Sequence, residues 1–423
     1  MKISIVGGGY VGLVSAACFA ELGHVVSLIE IDEEKVEAIN SARPPIYEKG
    51  LEELLKVHAG RSLVATTSYE ELDKSEVIMI CVGTPSCQDG EADLSKVASA
   101  SRSIGEALRD GKRQYVVAVK STVPPGTTEL LVRPAVLERS YRDPRDIGFV
   151  MNPEFLREGL AVQDFMNPDR IVVGSYDKRS GDHFEPIYRG IDAPVVRTGL
   201  TAAEMIKYAS NAFLATKISF SNEIGNVCKR LGIDVYQVMK GVGLDHRIGP
   251  HFLNAGAGFG GSCFPKDVAA LIHLAQRLGE DPVLLRSVME VNEQQPYRIV
   301  ELLERRLGDL RGKRIAVLGL AFKDDTDDAR ESRSIPVIGE LIRRGAMVAA
   351  HDPKANQSMA RIIPDIQYCS SSSEALKDAE GCLVMTEWPQ FGELGPEFEL
   401  MKNRLIIEGR RILTCAGVEG ICW

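Results

Sequence analysis

The chain has 423 residues, 44% apolar and 26% charged, which excludes intrinsic disorder as the dominant state and leaves room for two or three domains. Its 50 basic and 59 acidic residues give a net charge of −9, a field that repels phosphate backbones, so nucleic acid is not an expected partner. No apolar run approaches the roughly 18 residues of a membrane-spanning helix, so no membrane partner is expected either.

Residues 1–8 pass directly into a strand and a glycine turn, without the apolar stretch of a secretory signal, and the 9 scattered cysteines show no paired spacing. A cytoplasmic chain with reduced thiols is expected, and the 7 dispersed histidines predict no metal site. Short apolar runs at 3–6, 25–31, 63–66, 77–82, 115–120, 149–151 and 171–174 alternate with amphipathic helical stretches, the pattern of a parallel sheet covered on both faces. After the first run, Gly7-Gly8-Gly9-Tyr10-Val11-Gly12 supplies GxGxxG, bare backbone that lets a pyrophosphate approach a helix N-terminus. Glu30 ends the second run, where a carboxylate accepts from ribose hydroxyls and repels a 2′-phosphate, so NAD is expected rather than NADP. Asp32 is expected to start the next helix.

Asn152 and Pro153 predict the opening of a helix that would set Glu154 and Glu158 on one face. From residue 201 to about 296 the reading becomes helical, interrupted by a glycine-rich loop at 241–261. Lys207 and Asn211 lie one helical turn apart, although a lysine on that apolar stretch could simply snorkel. Cys263 and Asp267 form a third i, i+4 pair, where glycines lead into a proline-opened helix. That setting puts the sulfur beside exposed N–H groups with Lys266 nearby, conditions that lower a thiol pKa. The other 8 cysteines read as inert core residues. A second strand and helix alternation runs through 313–319, 347–350, 382–385 and 405–407, with the serines at 370–373 capping a helix. Its first turn, Gly319-Leu320-Ala321-Phe322-Lys323, lacks GxGxxG spacing, so no second NAD is expected. The fold class is therefore α/β, with two Rossmann-like domains built on parallel sheets and joined by a central helical region.

The ordered motifs GGGYVGL at 7–13, PIYEKGL at 45–51, CVGTPS at 81–86, KSTVPPGTT at 120–128, NPEFLREG at 152–159 and EMIKYASN at 204–211 carry a resemblance. It continues through DHRIGPHFLNAGAGFGGSCFPKD at 245–267 and FKDDTDDARES at 322–332. Over essentially its whole length the chain resembles the UDP-glucose and GDP-mannose dehydrogenase family. The resemblance implies an NAD-dependent, four-electron oxidation of a sugar nucleotide C6 alcohol to a carboxylate, in a homodimer or higher homo-oligomer. It divides the chain into an NAD-binding domain at 1–199, a central dimerisation and catalytic-cysteine region at 200–298, and a sugar-nucleotide-binding domain at 299–423.

By the same resemblance Cys263 is the nucleophile, Asp267, Lys207 and Asn211 manage the proton and oxyanion, and Glu158 with Thr122 handles the hydrolytic water. Gly7, Gly9, Tyr10, Val11, Gly12, Glu30, Thr84, Thr122 and Arg330 fall on the cofactor side. Glu154, Phe155, Leu156, Lys207, Arg247, Phe252, Asn254, Gly260, Lys323 and Arg410 fall on the substrate side, with backbone amides of the 252–261 loop wrapping the nucleotide. Arg247-Ile248-Gly249 resembles the UDP-glucose branch and the ending at 418–423 the GDP-mannose branch; UDP-glucose is the favoured expectation. A two-electron β-hydroxyacid-type dehydrogenase would share the first domain but not require Cys263 or Glu158.

Overall fold

The computed structural model describes residues 1–423 and divides into two compact units, residues 1–210 and 211–423. In the first unit eight strands form one sheet: β1 (Lys2–Val6), β2 (Val25–Ile29), β3 (Leu63–Thr66), β4 (Val77–Ile80), β5 (Tyr115–Val119), β6 (Ile147–Met151), β7 (Ile171–Ser175) and β8 (Val195–Thr198). Their order is β3-β2-β1-β4-β5-β6-β7-β8. Strands β4, β5 and β6 are buried throughout, as expected where helices cover both faces and backbone polar groups are taken up by neighbouring strands. Alternation sends Ile3, Ile5, Leu28 and Met79 into one core layer and Val6, Ile29, Ile78 and Ile80 into the other. The expected strands appear within two residues of their predicted ends, but the sheet is not wholly parallel: β6 pairs antiparallel with β7. Apolar periodicity marks a strand without marking its direction.

The order reverses between β1 and β4, so the carboxyl ends of these two strands flank the crevice where such sheets bind ligands. Asp32 caps the helix Glu33–Asn40 by accepting from the N–H groups of Glu34 and Lys35, as its position predicts.

The second unit carries an all-parallel sheet of β9 (Arg314–Leu318), β10 (Met347–His351), β11 (Gln367–Tyr368), β12 (Gly381–Val384), β13 (Ile406–Glu408) and β14 (Val418–Gly420), ordered β11-β10-β9-β12-β13-β14. Ser371 caps the helix Ser372–Leu376, as the serine run predicts. Asp352, just past β10, is buried and saturated: its carboxylate accepts from the backbone N–H groups of Leu320, Ala321, Lys354 and Ala355 and from the indole N–H of Trp388. The longest helix, Leu200–Leu231, contains the boundary between the units, and helices Phe264–Arg277 and Val283–Leu307 belong wholly to the second.

Candidate active site

Gly7 follows β1 with φ +106°, and a Cβ there would meet the Cys81 carbonyl oxygen at 2.7 Å. A Cβ on Gly12 would sit 1.9 Å from the Gly7 carbonyl oxygen, so the helix Tyr10–Glu21 packs against its own entry turn only because both positions are glycine. Gly9 faces open space, and no side chain caps that helix N-terminus. Glu30 is buried at the end of β2, where one carboxylate oxygen accepts from the Gly8 N–H at 2.9 Å and the other from the Asp32 N–H at 3.1 Å. Uncommitted backbone donors at a helix N-terminus, beside a carboxylate that retains lone pairs, fit the pyrophosphate and ribose of NAD. Past β4 and β5, the Thr84 hydroxyl donates to the Thr122 carbonyl at 2.8 Å, joining two residues expected on the cofactor side.

The 152–160 segment departs from expectation. Residues 152–157 form no helix; the helix begins at Ala161, so Glu154 and Glu158 do not share a helical face. The Asn152 side chain that would have capped a helix is consumed elsewhere, accepting from the buried Lys120 ammonium at 3.0 Å and from the Tyr188 hydroxyl, and donating to the Val172 carbonyl. Glu154 bends back to accept from the Leu156 N–H at 2.6 Å, and its other oxygen lies 3.1 Å from the Lys207 ammonium. Lys207 is buried rather than snorkelling, and it also stands 5.4 Å from the centre of the Phe155 ring. Glu158 is half-buried, in the turn just before Gly159.

One turn before Lys207, Glu204 is fully buried and accepts from the N–H groups of Gly126 and Thr128 and from the Thr128 hydroxyl. Burial pushes its carboxyl up and these donors pull it back. Glu204 thereby fixes the proline and glycine turn that follows Thr122. Sequence reasoning passed over it, although its i, i+3 spacing from Lys207 was visible.

In the second unit the Asn211 amide donates to Asp267 at 2.6 Å, and the Lys266 ammonium contacts the other Asp267 oxygen at 2.6 Å. Asp267 is 1% exposed, so these partners satisfy a carboxylate cut off from water. Cys263 is the N-cap of the helix Phe264–Arg277, half-buried, with its sulfur 3.6 Å from the Ser262 hydroxyl. Burial pushes the thiols of Cys18, Cys81 and Cys422 up to about 12. The expectation that all eight other cysteines are core residues fails at Cys87, which is exposed, and at Cys415, which is half-buried.

The 252–261 loop has fewer amides to offer a ligand than expected. The N–H of Gly256 donates to Asn222, that of Ala257 to the Gly409 carbonyl, that of Phe259 to Asn292 and that of Gly261 to the Arg330 carbonyl. A Cβ at Gly260 would sit 2.1 Å from the Glu331 carbonyl oxygen. The Arg410 guanidinium bonds the Gly258 carbonyl and lies 3.4 Å from Glu387, so this arginine braces the loop. Phe252 takes φ +63°, and Asn254 is exposed. Lys323 donates to the Asp324 carbonyl at 2.9 Å, Arg330 pairs with Asp328 and Arg247 pairs with Asp245. Glu408 is buried and accepts from the Ile412 and Leu413 N–H groups.

A bare glycine turn at the switch point of a largely parallel sheet, answered by a carboxylate closing the second strand, defines the first unit as the dinucleotide-binding domain of an NAD-dependent oxidoreductase. The NAD-binding domain of the UDP-glucose/GDP-mannose dehydrogenase family matches residues 1–192, its central domain residues 201–294 and its UDP-binding domain residues 316–415. The chain belongs to that family. It is 47% identical over 420 residues to the UDP-glucose 6-dehydrogenase AglM of Haloferax volcanii, covering 98% of this chain and 97% of that one. A solved UDP-glucose dehydrogenase from Pyrobaculum islandicum superposes with a TM-score of 0.95 at 44% identity, covering 100% of this chain and 98% of that one. A GDP-mannose dehydrogenase from Pseudomonas aeruginosa, at 35% identity and full coverage of both chains, gives 0.58.

Proposed function

We propose that this protein oxidises the C6 alcohol of UDP-glucose to the carboxylate, taking up one water and reducing two NAD. The observation that carries the mechanism is the pairing of a half-buried Cys263 at a helix N-terminus with Asp267 one turn on, whose carboxylate is held by Asn211. NAD supplies the hydride acceptor in both oxidations. Lys207 and Asn211, one turn apart, stabilise the alkoxide and oxyanion oxygen, while Asp267 takes part in moving the proton. The Cys263 sulfur adds to the aldehyde carbon to form a thiohemiacetal; loss of hydride from that carbon leaves a thioester. Glu158, with Thr122 near it in the reaction, activates water; the C–S bond breaks, the carboxylate leaves and the thiol is restored.

Arg247, Lys323 and the 252–261 loop serve the sugar nucleotide, and the three regions 1–199, 200–298 and 299–423 divide the labour as cofactor, dimerisation and nucleotide domains. A homodimer is supported by Phe213, Phe220, Val227 and Leu231, large apolar side chains exposed along one face of the Leu200–Leu231 helix.

Glu158→Gln tests the reading, because hydrolysis follows both hydride transfers. With UDP-glucose and excess NAD it should give a burst of about two NADH per active site followed by a slow phase, with general-base loss costing about 10²- to 10⁴-fold. Mass spectrometry should find the uronyl group on Cys263. One NADH per substrate with free aldehyde would place the protein in the two-electron class. A higher kcat/KM for GDP-mannose than for UDP-glucose would reverse the substrate choice.

A further inference from the structure

In the second unit the helices Leu200–Leu231 and Val283–Leu307 bring their last turns to a cavity of about 360 Å³ that no step of the reaction uses. Lys229 and Arg230 line it from the first helix and Arg298, Arg305 and Arg306 from the second, against two carboxylates, Glu301 and Glu419. That excess of positive charge sits in a chain whose net charge is −9. Two of the cations are committed. Lys229 lies 2.9 Å from Glu419 and donates to the Gly420 carbonyl at 2.8 Å, and Arg306 takes the same carboxylate through two nitrogens at 2.9 and 3.0 Å. Arg230, Arg298 and Arg305 make no hydrogen bond or ion pair. Cations in the last turn of a helix offset its dipole, which accounts for Arg230 and Arg305. It does not account for Arg298, which is half-buried, more than two turns from the helix end and on the face that Arg305 shares.

Guanidinium forks with free N–H groups fit phosphate oxygens two at a time. No aromatic side chain lines the cavity, so a base would find nothing to stack on, and the recognised part of a ligand is its phosphate chain. The cavity wall also reaches the 252–261 loop. Asn226, one turn before Arg230, donates to the Gln295 side-chain oxygen at 2.8 Å, and Gln295, fully buried, donates to the Gly256 carbonyl at 3.0 Å. We infer that this cavity is a regulatory site for a condensed phosphate, either an inorganic chain or the triphosphate of a nucleotide, and that Asn226 and Gln295 carry its occupancy to the loop. The link to catalysis rests on the reading that the loop serves the sugar nucleotide; the binding does not.

Titration calorimetry tests the binding with pyrophosphate, tripolyphosphate and ATP, on protein saturated with UDP and NAD so that the phosphate sites of the reaction are filled. One site per chain is expected, weakened by added salt and by about 100-fold or more in Arg298→Gln/Arg305→Gln, which removes two charge-assisted contacts. ATP binding as tightly as tripolyphosphate assigns the site to a nucleotide, and binding of the inorganic chains alone assigns it to those. Initial rates read the link: the tighter ligand should shift the KM for UDP-glucose about fivefold or more and leave that for NAD unchanged. The double variant should keep the parent rates without added phosphate and show no shift with it. No binding heat, or equal binding by the double variant, overturns the site. A KM shift that persists in the double variant is competition at the substrate's own subsite and overturns it as well, and a changed oligomeric state of that variant by light scattering would assign the arginines to contact between copies. Calorimetry needs no turnover, so the two failures separate: binding without a KM shift overturns the regulatory link alone.

Discussion

Replacing Glu154 by Gln removes the counter-charge of Lys207 while keeping its shape. The two side chains are 6% and 4% exposed and 3.1 Å apart, so neither charge is hydrated in the fold. Removing one member of such a pair typically costs about 3–5 kcal/mol, because the charge that remains is buried. In a unit of this size each kcal/mol lowers the melting temperature by about 2–4 °C, so Glu154→Gln should melt about 6–20 °C below the parent. The double variant Glu154→Gln/Lys207→Met removes both charges and should recover most of that loss, since a buried pair exchanged for neutral groups of similar volume is often close to neutral. Thermal melts of the parent, both single variants and the double variant close the cycle. A Glu154→Gln melt within about 2 °C of the parent, or single effects that simply add in the double variant, would refute the buried-pair account.

Glu30→Gln should weaken NAD and narrow its advantage over NADP, because the negative charge facing the 2′ position is lost while an acceptor for the Gly8 N–H remains; fluorescence titration with both cofactors reads this out. Cys263→Ala should abolish carboxylate formation and leave NAD affinity nearly intact, measured by product chromatography beside a cofactor titration. Glu340 is held at about 2 by hydrogen bonds from Arg343 and Arg344, well below its usual 4.5. Its depressed carboxyl therefore adds stability that is complete above about pH 4.5 and is lost as pH falls toward 2. Arg344→Gln should raise the pH midpoint of acid unfolding followed by circular dichroism, and an unchanged midpoint would remove this pair from the acid response.

The features legible in the sequence are those whose causes are local. The caps at Asp32 and Ser371 act on backbone within three residues, and the glycines at 7 and 12 meet across one turn, whereas Glu30 is marked by its place at the end of β2 although the Gly8 N–H it accepts lies 22 residues away. The 152–158 helix failed because its supposed cap, Asn152, is claimed by Lys120 and Tyr188, residues 32 and 36 positions away. Glu154 was noticed without a role because its partner, Lys207, is distant in sequence. The same holds for Glu204, whose partners Gly126 and Thr128 lie 78 and 76 positions off and leave no periodic trace. The reversed β7 belongs with them, since direction is decided by the connection and not by the strand's own residues.

Glu30 and Asp352 occupy the same topological address, just past the second strand of the first β-α-β in each sheet. Glu30 answers two backbone donors and keeps lone pairs for a ligand, whereas Asp352 answers five donors with two oxygens. Anyone re-engineering cofactor preference therefore has one dial and one rivet. Changes at Glu30 alter what the protein recognises and leave its frame standing; changes at Asp352 unfasten the turn after β9, the start of the chain after β10 and the Trp388 indole together.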